Sequence, residues 1–376
     1  MFDHPTVLKT ILFLALLSIT SPQAIGAPVN SITPGPYVAG AVIEMVGDDG
    51  ALKHDGADAW IFTRKVENAR SMRVELHVSA PNIPVNVEIR GGSSGSVQRL
   101  SVDQNDAGKS IWSNPVLGET ISIRVLGRES APPAIKVEAV VVESKDAFAP
   151  ESIIPPNELR NVFQYFGDAV DTVRRVHGAV GKISFISEGF SLVCTGFLVS
   201  DNVVMTNEHC FNDQYVCNTA TFTLGYHIGI DKSLSFGSDF RCTRVIYSDF
   251  DLDFTLFQVE GAPGKQYGVL DLAAASVAGE QKVLLIQHPG GRPKMVSGSN
   301  CRIIKWHVPG RRILSDDAHT CDTAGGSSGS PIIGYDGKVV ALHHLGRDKA
   351  GQFVDVNRSV DIGLIVDILK KMQIDL

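Results

Sequence analysis

The hexapeptide Gly-Gly-Ser-Ser-Gly-Ser occurs twice in this chain, at residues 91–96 and 325–330. A serine hydroxyl is a weak nucleophile on its own and must be held against a base, so only a restrained copy beside an imidazole can do covalent chemistry. The copy at 91–96 lies between two alternating segments and reads as a flexible turn. The copy at 325–330 is clamped. It follows Cys321-Asp322-Thr323-Ala324 and runs into Pro331-Ile332-Ile333, a turn at Asp336-Gly337 and the apolar run Val339-Val340-Ala341-Leu342. Such restraint lets a serine hydroxyl of this copy meet a base while backbone N–H groups point at a developing oxyanion. The imidazole in a matching setting is His209, which ends the run Val203-Val204-Met205-Thr206-Asn207-Glu208 and precedes Cys210. A carboxylate must then fix the tautomer of that imidazole and stabilise its protonated form. Asp249, Asp251 and Asp253 stand together ahead of an apolar run, and as strand residues they would share one face.

Three stretches, Cys194-Thr195-Gly196-Phe197 continuing to Asn207-Glu208-His209-Cys210, then Asp253-Phe254-Thr255-Leu256, then Cys321 to Pro331, resemble the motifs of the chymotrypsin-type serine proteases. The order His, Asp, Ser matches that family and neither the α/β-hydrolase nor the subtilisin order, and the elbow Gly-x-Ser-x-Gly is not met because position 330 is serine. The resemblance covers roughly residues 173–376. It implies two packed β-barrels with a triad of His209, Asp253 and Ser328 in the cleft between them, hydrolysing protein or peptide substrates without a cofactor. By the same resemblance Asp253 is preferred to Asp251, the amides of Gly326 and Ser328 form the oxyanion hole, and Cys194 bridges Cys210. Asn207-Glu208 depart from the family's Ala-Ala. Ser327 stands where trypsin-like zymogens carry an aspartate, so that activation switch is expected to be missing. In the Gly-Ser-Pro after Ser328 the chain resembles the branch that includes glutamyl and lysyl endopeptidases more than pancreatic trypsin.

Two readings of specificity remain open. Asp322 could floor a pocket for Lys or Arg. Thr323 and His343 resemble instead the pair that binds a substrate carboxylate in glutamyl endopeptidases. Adjacent His343 and His344 should point to opposite sides of a strand, one packed and one exposed, and so do not chelate one metal. His288-Pro289-Gly290-Gly291 reads as a turn, and no zinc signature has the right spacing.

The elements that must position these residues are β-strands. Val74, Leu76 and Val78 alternate with Arg73, Glu75 and His77, and Val85–Arg90, Ile121–Val125 and Ile135–Glu138 repeat the pattern between turn residues. Residues 31–145 are therefore expected to form a β-sandwich, similar through Trp60 and Trp112-Ser113-Asn114-Pro115 to the one preceding some bacterial proteases. A linker with a helix follows at 146–172, where Leu159, Val162, Phe163, Phe166, Val170 and Val173 recur at helical spacing up to Val176. The peptidase domain is expected at 173–376 and ends in an amphipathic helix closed by Lys370 and Lys371. The fold class is thus all-β: an N-terminal β-sandwich, then a chymotrypsin-like double β-barrel with a C-terminal helix.

Residues 1–27, with the apolar run Ile11–Ile19 after Lys9 and small residues ahead of the cut, read as a signal peptide for a secreted or periplasmic protein. The run is too short to span a bilayer. All six cysteines, Cys194, Cys210, Cys217, Cys242, Cys301 and Cys321, fall in the second half and suit disulfides in an exported chain. With 34 Lys and Arg against 41 Asp and Glu, and no basic track, nucleic acid is not an expected partner. The rival reading is a non-catalytic binding protein that keeps the protease fold. Sequence gives no oligomeric state.

Overall fold

The computed structural model describes residues 36–376 apart from 57–58, 80, 82–83, 93–96, 127–132, 146–150, 274–278 and 347–355. The signal-peptide reading of residues 1–27 and the turn reading of residues 93–96 lie outside the described residues.

The alternating segments form two facing sheets. One contains Tyr37–Glu44, Ile135–Ser144, Ala69–Val78 and Ser110–Trp112; the other contains Ala59–Lys65, Thr120–Leu126, Val85–Gly91 and Val97–Val102. Val74, Leu76 and Val78 meet Val87, Ile89, Ile121 and Ile123 in a shared core with no exposure at any of these side chains. Their burial is the main force closing the sandwich, at roughly 1.5–3 kcal/mol for each fully buried aliphatic side chain.

Part of the outer face of this sandwich is covered. Arg73, expected on a solvent face, is buried with its guanidinium 5.3 Å from the Trp112 ring. Tyr37–Glu44 pairs with Ile135–Ser144 on one edge and with Phe190–Leu198 on the other, so the sheet continues by hydrogen bonds into the next module. At the junction the buried Glu143 carboxylate accepts from Ser71 Oγ at 2.7 Å and Ser184 Oγ at 3.1 Å, and pairs with Lys182 Nζ at 3.3 Å. Burial opposes ionisation of Glu143, but Lys182 and Ser71 outweigh it and hold the carboxyl below its usual range. Removing one partner of a buried pair of this kind costs roughly 3–5 kcal/mol, because the other charge is left in the interior.

Among the described residues, two closed six-stranded barrels follow. The first runs Val180–Ser187, Thr221–Ile228, Leu234–Asp249, Phe254–Val259, Val203–Thr206 and Phe190–Leu198, which returns to Val180–Ser187. The second runs Gln281–Gln287, Arg302–Val308, Asp316–His319, Asn357–Asp361, Val339–Leu345 and Pro331–Gly334, which returns to Gln281–Gln287. This is the chymotrypsin-like double barrel. The helix Ile362–Lys371 closes the chain, capped by Asp361 Oδ1 accepting from the Gly363 amide at 2.7 Å, and it packs through Ile362, Ile365 and Leu369.

The linker departs from expectation. Only Val170–Val176 is α-helical, preceded by a 3-10 turn at Val162–Gln164. The carbonyls of Val162, Phe163 and Tyr165, which a continuous helix would use internally, accept from the Arg174 guanidinium instead. Ala169 sits at φ 54°, a left-handed conformation that ends any helix arriving from Phe166. The apolar spacing there reflects burial of Leu159, Val162 and Val173 against the barrels, with Phe166 left 80% exposed.

The cysteines pair as Cys194–Cys210, Cys217–Cys242 and Cys301–Cys321. Each closes a loop of 16 to 25 residues. Closing loops of that length is worth on the order of 3 kcal/mol in the chain-entropy view.

Candidate active site

His209 follows the strand Val203–Thr206 and is tied to Asp253 twice: its Nδ1 lies 2.9 Å from Asp253 Oδ2, and its amide donates to Oδ1 at 3.0 Å. Asp249, Asp251 and Asp253 do not share a strand face. The strand Leu234–Asp249 ends before a tight turn, Asp249 Oδ1 accepts from the Leu252 amide at 2.8 Å, and Asp253 lies in the turn at φ 47°. The turn drives the Asp253 side chain inward to zero exposure, whereas Asp251 stays on the rim of the same bend.

Asp253 has more partners than one imidazole. His344 Nδ1 lies 3.0 Å from Asp253 Oδ2, and its Nε2 lies 3.0 Å from Asp316 Oδ2. Both His343 and His344 are buried, so the expectation of one exposed ring fails; the barrel wall covers one and the Asp253 turn covers the other. Arg311 Nη1 stands 3.5 Å from Asp253 Oδ1 and donates to Glu208 Oε2 at 2.9 Å, and Asn207 Nδ2 donates to the Asp253 carbonyl at 2.9 Å. The departures at 207 and 208 are therefore part of the support of the carboxylate.

Electrostatics follow from this packing. Burial disfavours the charged Asp253, but the attraction and hydrogen bonds of His209 and His344 outweigh it and hold the carboxyl far below the carboxylate range. Burial likewise disfavours a charged His344, yet its bonds to Asp253 and Asp316 raise it to about 9. His344 is an imidazolium between two carboxylates at neutral pH.

The nucleophile loop hangs on Thr195. The Thr195 amide donates to the Ser328 carbonyl at 2.8 Å, and its hydroxyl donates to the Gly326 carbonyl at 2.8 Å while accepting from the His288 amide at 3.0 Å. Thr195 adjoins Cys194 and His209 adjoins Cys210, so the Cys194–Cys210 bridge ties the imidazole loop to the residue that carries Ser328. Gly329 lies at φ 83°, and a Cβ there would stand 2.1 Å from the Thr195 carbonyl oxygen, so only glycine fits. Ser327 Oγ is buried, donating to Gln287 Oε1 and accepting from the Ala324 amide at 3.0 Å. Among the described residues the amides of Gly326 and Ser328 carry no hydrogen bond, and His209 Nε2 has no protein partner. A cavity of about 470 Å³ opens beside His209, lined by Phe190, Leu192, Phe211 and Val216.

The specificity candidates separate. Asp322 is buried, and both its oxygens already accept backbone amides, from Ile154 at 2.8 Å and Glu158 at 2.7 Å. Thr323 and Ala324 pair with Ser152 and Glu151, so the linker lies strand-like along the lead-in to Ser328. His343 Nδ1 lies 3.0 Å from His319 Nε2 and 3.1 Å from the Arg358 carbonyl. Burial and the neighbouring His319 push His343 well below the usual imidazole range, and burial lowers His319 to about 3, so both rings are neutral.

Sequence reasoning missed Thr195, Asn207, Arg311, His288 and His344 as parts of this site. Asn207-Glu208 gave a signal, as polar residues inside an apolar strand pattern. His288 is more than a turn residue: it is fully buried, and its carbonyl lies against Gly326.

Residues 194–342 match the family model of the trypsin-like peptidase domain. A secreted RxLR effector protein of Plasmopara viticola is 32% identical over 185 residues, 46% of this chain and 46% of that protein. An uncharacterised protein of Sinorhizobium fredii is 28% identical over 173 residues, 40% of this chain and 25% of that protein. The chain thus spans less than half the length of either relative. The active form of a Mycobacterium tuberculosis protease is 20% identical, covering 55% of this chain and 85% of that one at a TM-score of 0.42.

Proposed function

We propose, from the premise that residues 194–342 are a trypsin-like peptidase domain, that the protein is an exported serine endopeptidase working through an acyl-enzyme. Ser328 Oγ attacks the scissile carbonyl as its proton passes to His209 Nε2. The carbonyl oxygen, now negative, accepts from the amides of Gly326 and Ser328. Collapse expels the amine, which takes the proton from His209, and water then repeats the sequence on the ester. Asp253 keeps the proton of neutral His209 on Nδ1 and stabilises the imidazolium between steps.

The observation that carries this reading is that an imidazole engaged only at Nδ1 and a loop with two uncommitted amides are tied together through the Cys194–Cys210 bridge and the bond from the Thr195 amide to the Ser328 carbonyl. The three disulfides, with no free cysteine among the described residues, support an oxidising compartment. The commitment of both Asp322 oxygens to linker amides favours the acidic-substrate reading through Thr323 and His343 over a basic pocket.

A fluorophosphonate probe tests the assignment. Wild-type protein should be labelled on Ser328, and Ser328→Ala should lose labelling and proteolysis with its circular dichroism unchanged. Labelling of another serine, or retained proteolysis, overturns the mechanism. Folded wild type that ignores the probe favours a non-catalytic binding role.

A further inference from the structure

The turn at Pro289–Gly291 is where the β-sandwich meets the nucleophile loop. Arg70, at the start of the sandwich strand Ala69–Val78, donates from Nη1 to the Gly290 carbonyl at 2.5 Å. The Gly290 amide in turn donates to the Gly325 carbonyl at 2.6 Å. The Gly325 carbonyl and the Gly326 N–H belong to one planar trans peptide and point opposite ways, so fixing the first aims the second. The turn also lies flush against the loop: a Cβ on Gly326 would stand 3.0 Å from the His288 carbonyl oxygen and 3.3 Å from the amides of Gly290 and Gly291. Gly290 itself sits at φ 62°, a backbone state that an outside contact helps to hold.

The geometry points to the sandwich as a working part of the peptidase, with Arg70 as a positioning residue that holds the peptide carrying the Gly326 amide through the Pro289–Gly291 turn. The inference rests on the proposed role of that amide as an oxyanion donor. The linkage runs from one module to the other through two hydrogen bonds in series, and these bonds are distinct from those that anchor the sandwich, although the Arg70 charge also helps to hold Glu143 ionised. That anchoring is the continuous sheet through Tyr37–Glu44 and the Glu143 cluster with Ser71, Lys182 and Ser184. Ser71 can therefore be cut without touching the Arg70 linkage, and Arg70→Lys keeps the charge that Glu143 feels.

The test uses the full chain with Arg70→Ala, Arg70→Lys and Ser71→Ala, reading peptide hydrolysis, the rate of fluorophosphonate labelling, affinity for a peptidyl boronate and the melting temperature. Arg70→Ala should lower kcat by about 10- to 100-fold with KM nearly unchanged, since an oxyanion donor acts on the transition state. Boronate affinity should fall by a similar factor, and Arg70→Lys should recover part of both. Ser71→Ala should lower the melting temperature and leave kcat alone. Arg70→Ala with wild-type kcat overturns the inference. So does a loss matched in Ser71→Ala, which would assign the effect to docking. If Arg70→Ala does not fold, Arg70→Lys decides on the same readouts, a wild-type kcat with a lowered melting temperature overturning it. Wild type that fails to label refutes the proposed function instead.

Discussion

His344 Nδ1 stands 3.0 Å from Asp253 Oδ2, the same oxygen that His209 Nδ1 reaches at 2.9 Å. A buried carboxylate thus serves two imidazoles, and the second is itself held by Asp316. The imidazolium of His344 draws charge from Asp253 and weakens its pull on the proton that His209 gains during catalysis. Replacing it with a neutral group strengthens that pull. His344→Asn is expected to move the acidic limb of the kcat/KM profile upward in pH, because the base is protonated more easily. Maximal kcat should fall by roughly 10-fold as Asp253 loses a restraint. An acidic limb that stays in place would mean that His344 acts only as packing.

The same imidazolium makes stability depend on pH in a definite direction. A histidine raised from 6.5 in the unfolded chain to about 9 in the fold contributes stability that is complete below pH 6.5 and is lost as pH rises through about 9. Asp253, depressed in the fold, contributes above the ordinary carboxylate range and loses that contribution only in strong acid. With Ser328→Ala as a background that cannot digest itself, the contribution of His344 to the melting temperature should decline between pH 6.5 and 9, while Lys294, lowered by burial to about 7, opposes it in the total. The difference between that protein and its His344→Asn derivative should shrink over the same window. A constant difference would contradict the raised state of His344.

Much of this arrangement was legible in the sequence, for physical reasons. Period-2 alternation at Val74, Leu76 and Val78 announces a half-buried strand whatever it pairs with, and the all-β architecture with two barrels followed from such runs and the resemblance. What stayed hidden was long-range. Arg73 reads as a solvent residue until the first barrel covers its face. The pattern from Leu159 to Val173 reports burial, and spacing alone does not reveal that Arg174 occupies the carbonyls a helix would use. Thr195 and His344 are unremarkable in a strand, since their importance comes from which loop each faces across the cleft.

The commitment of Asp322 gives a prediction about selectivity. Its oxygens hold the amides of Ile154 and Glu158, so its loss leaves two partly buried donors without acceptors. That costs at most roughly 1–3 kcal/mol for each donor, less where water can reach it. Asp322→Ala should therefore loosen residues 151–158, seen as new cleavage there under limited proteolysis, and lower hydrolysis of all peptides alike. A selective loss of cleavage after Lys or Arg in a peptide library would instead restore Asp322 as the floor of a basic pocket.

Thr195 offers the most direct cut at the nucleophile loop within the barrels. Thr195→Val keeps volume and β-branching, and the backbone bond from residue 195 to the Ser328 carbonyl survives because it uses the amide. What disappears is the hydroxyl that donates to Gly326 and accepts from His288, both at buried positions. The Gly326 carbonyl and the Gly326 amide flank one residue, so freeing the carbonyl lets the donor drift from the position the oxyanion will take. A drift of about 1 Å at such a donor is enough for a loss on the order of 100-fold in kcat, with KM little changed. The unsatisfied His288 amide adds a stability cost of roughly 1–3 kcal/mol. Thr195→Ser retains the hydroxyl and should keep most of the activity. If steady-state kinetics find the valine and serine variants equally active, the hydroxyl clamp does not govern the loop.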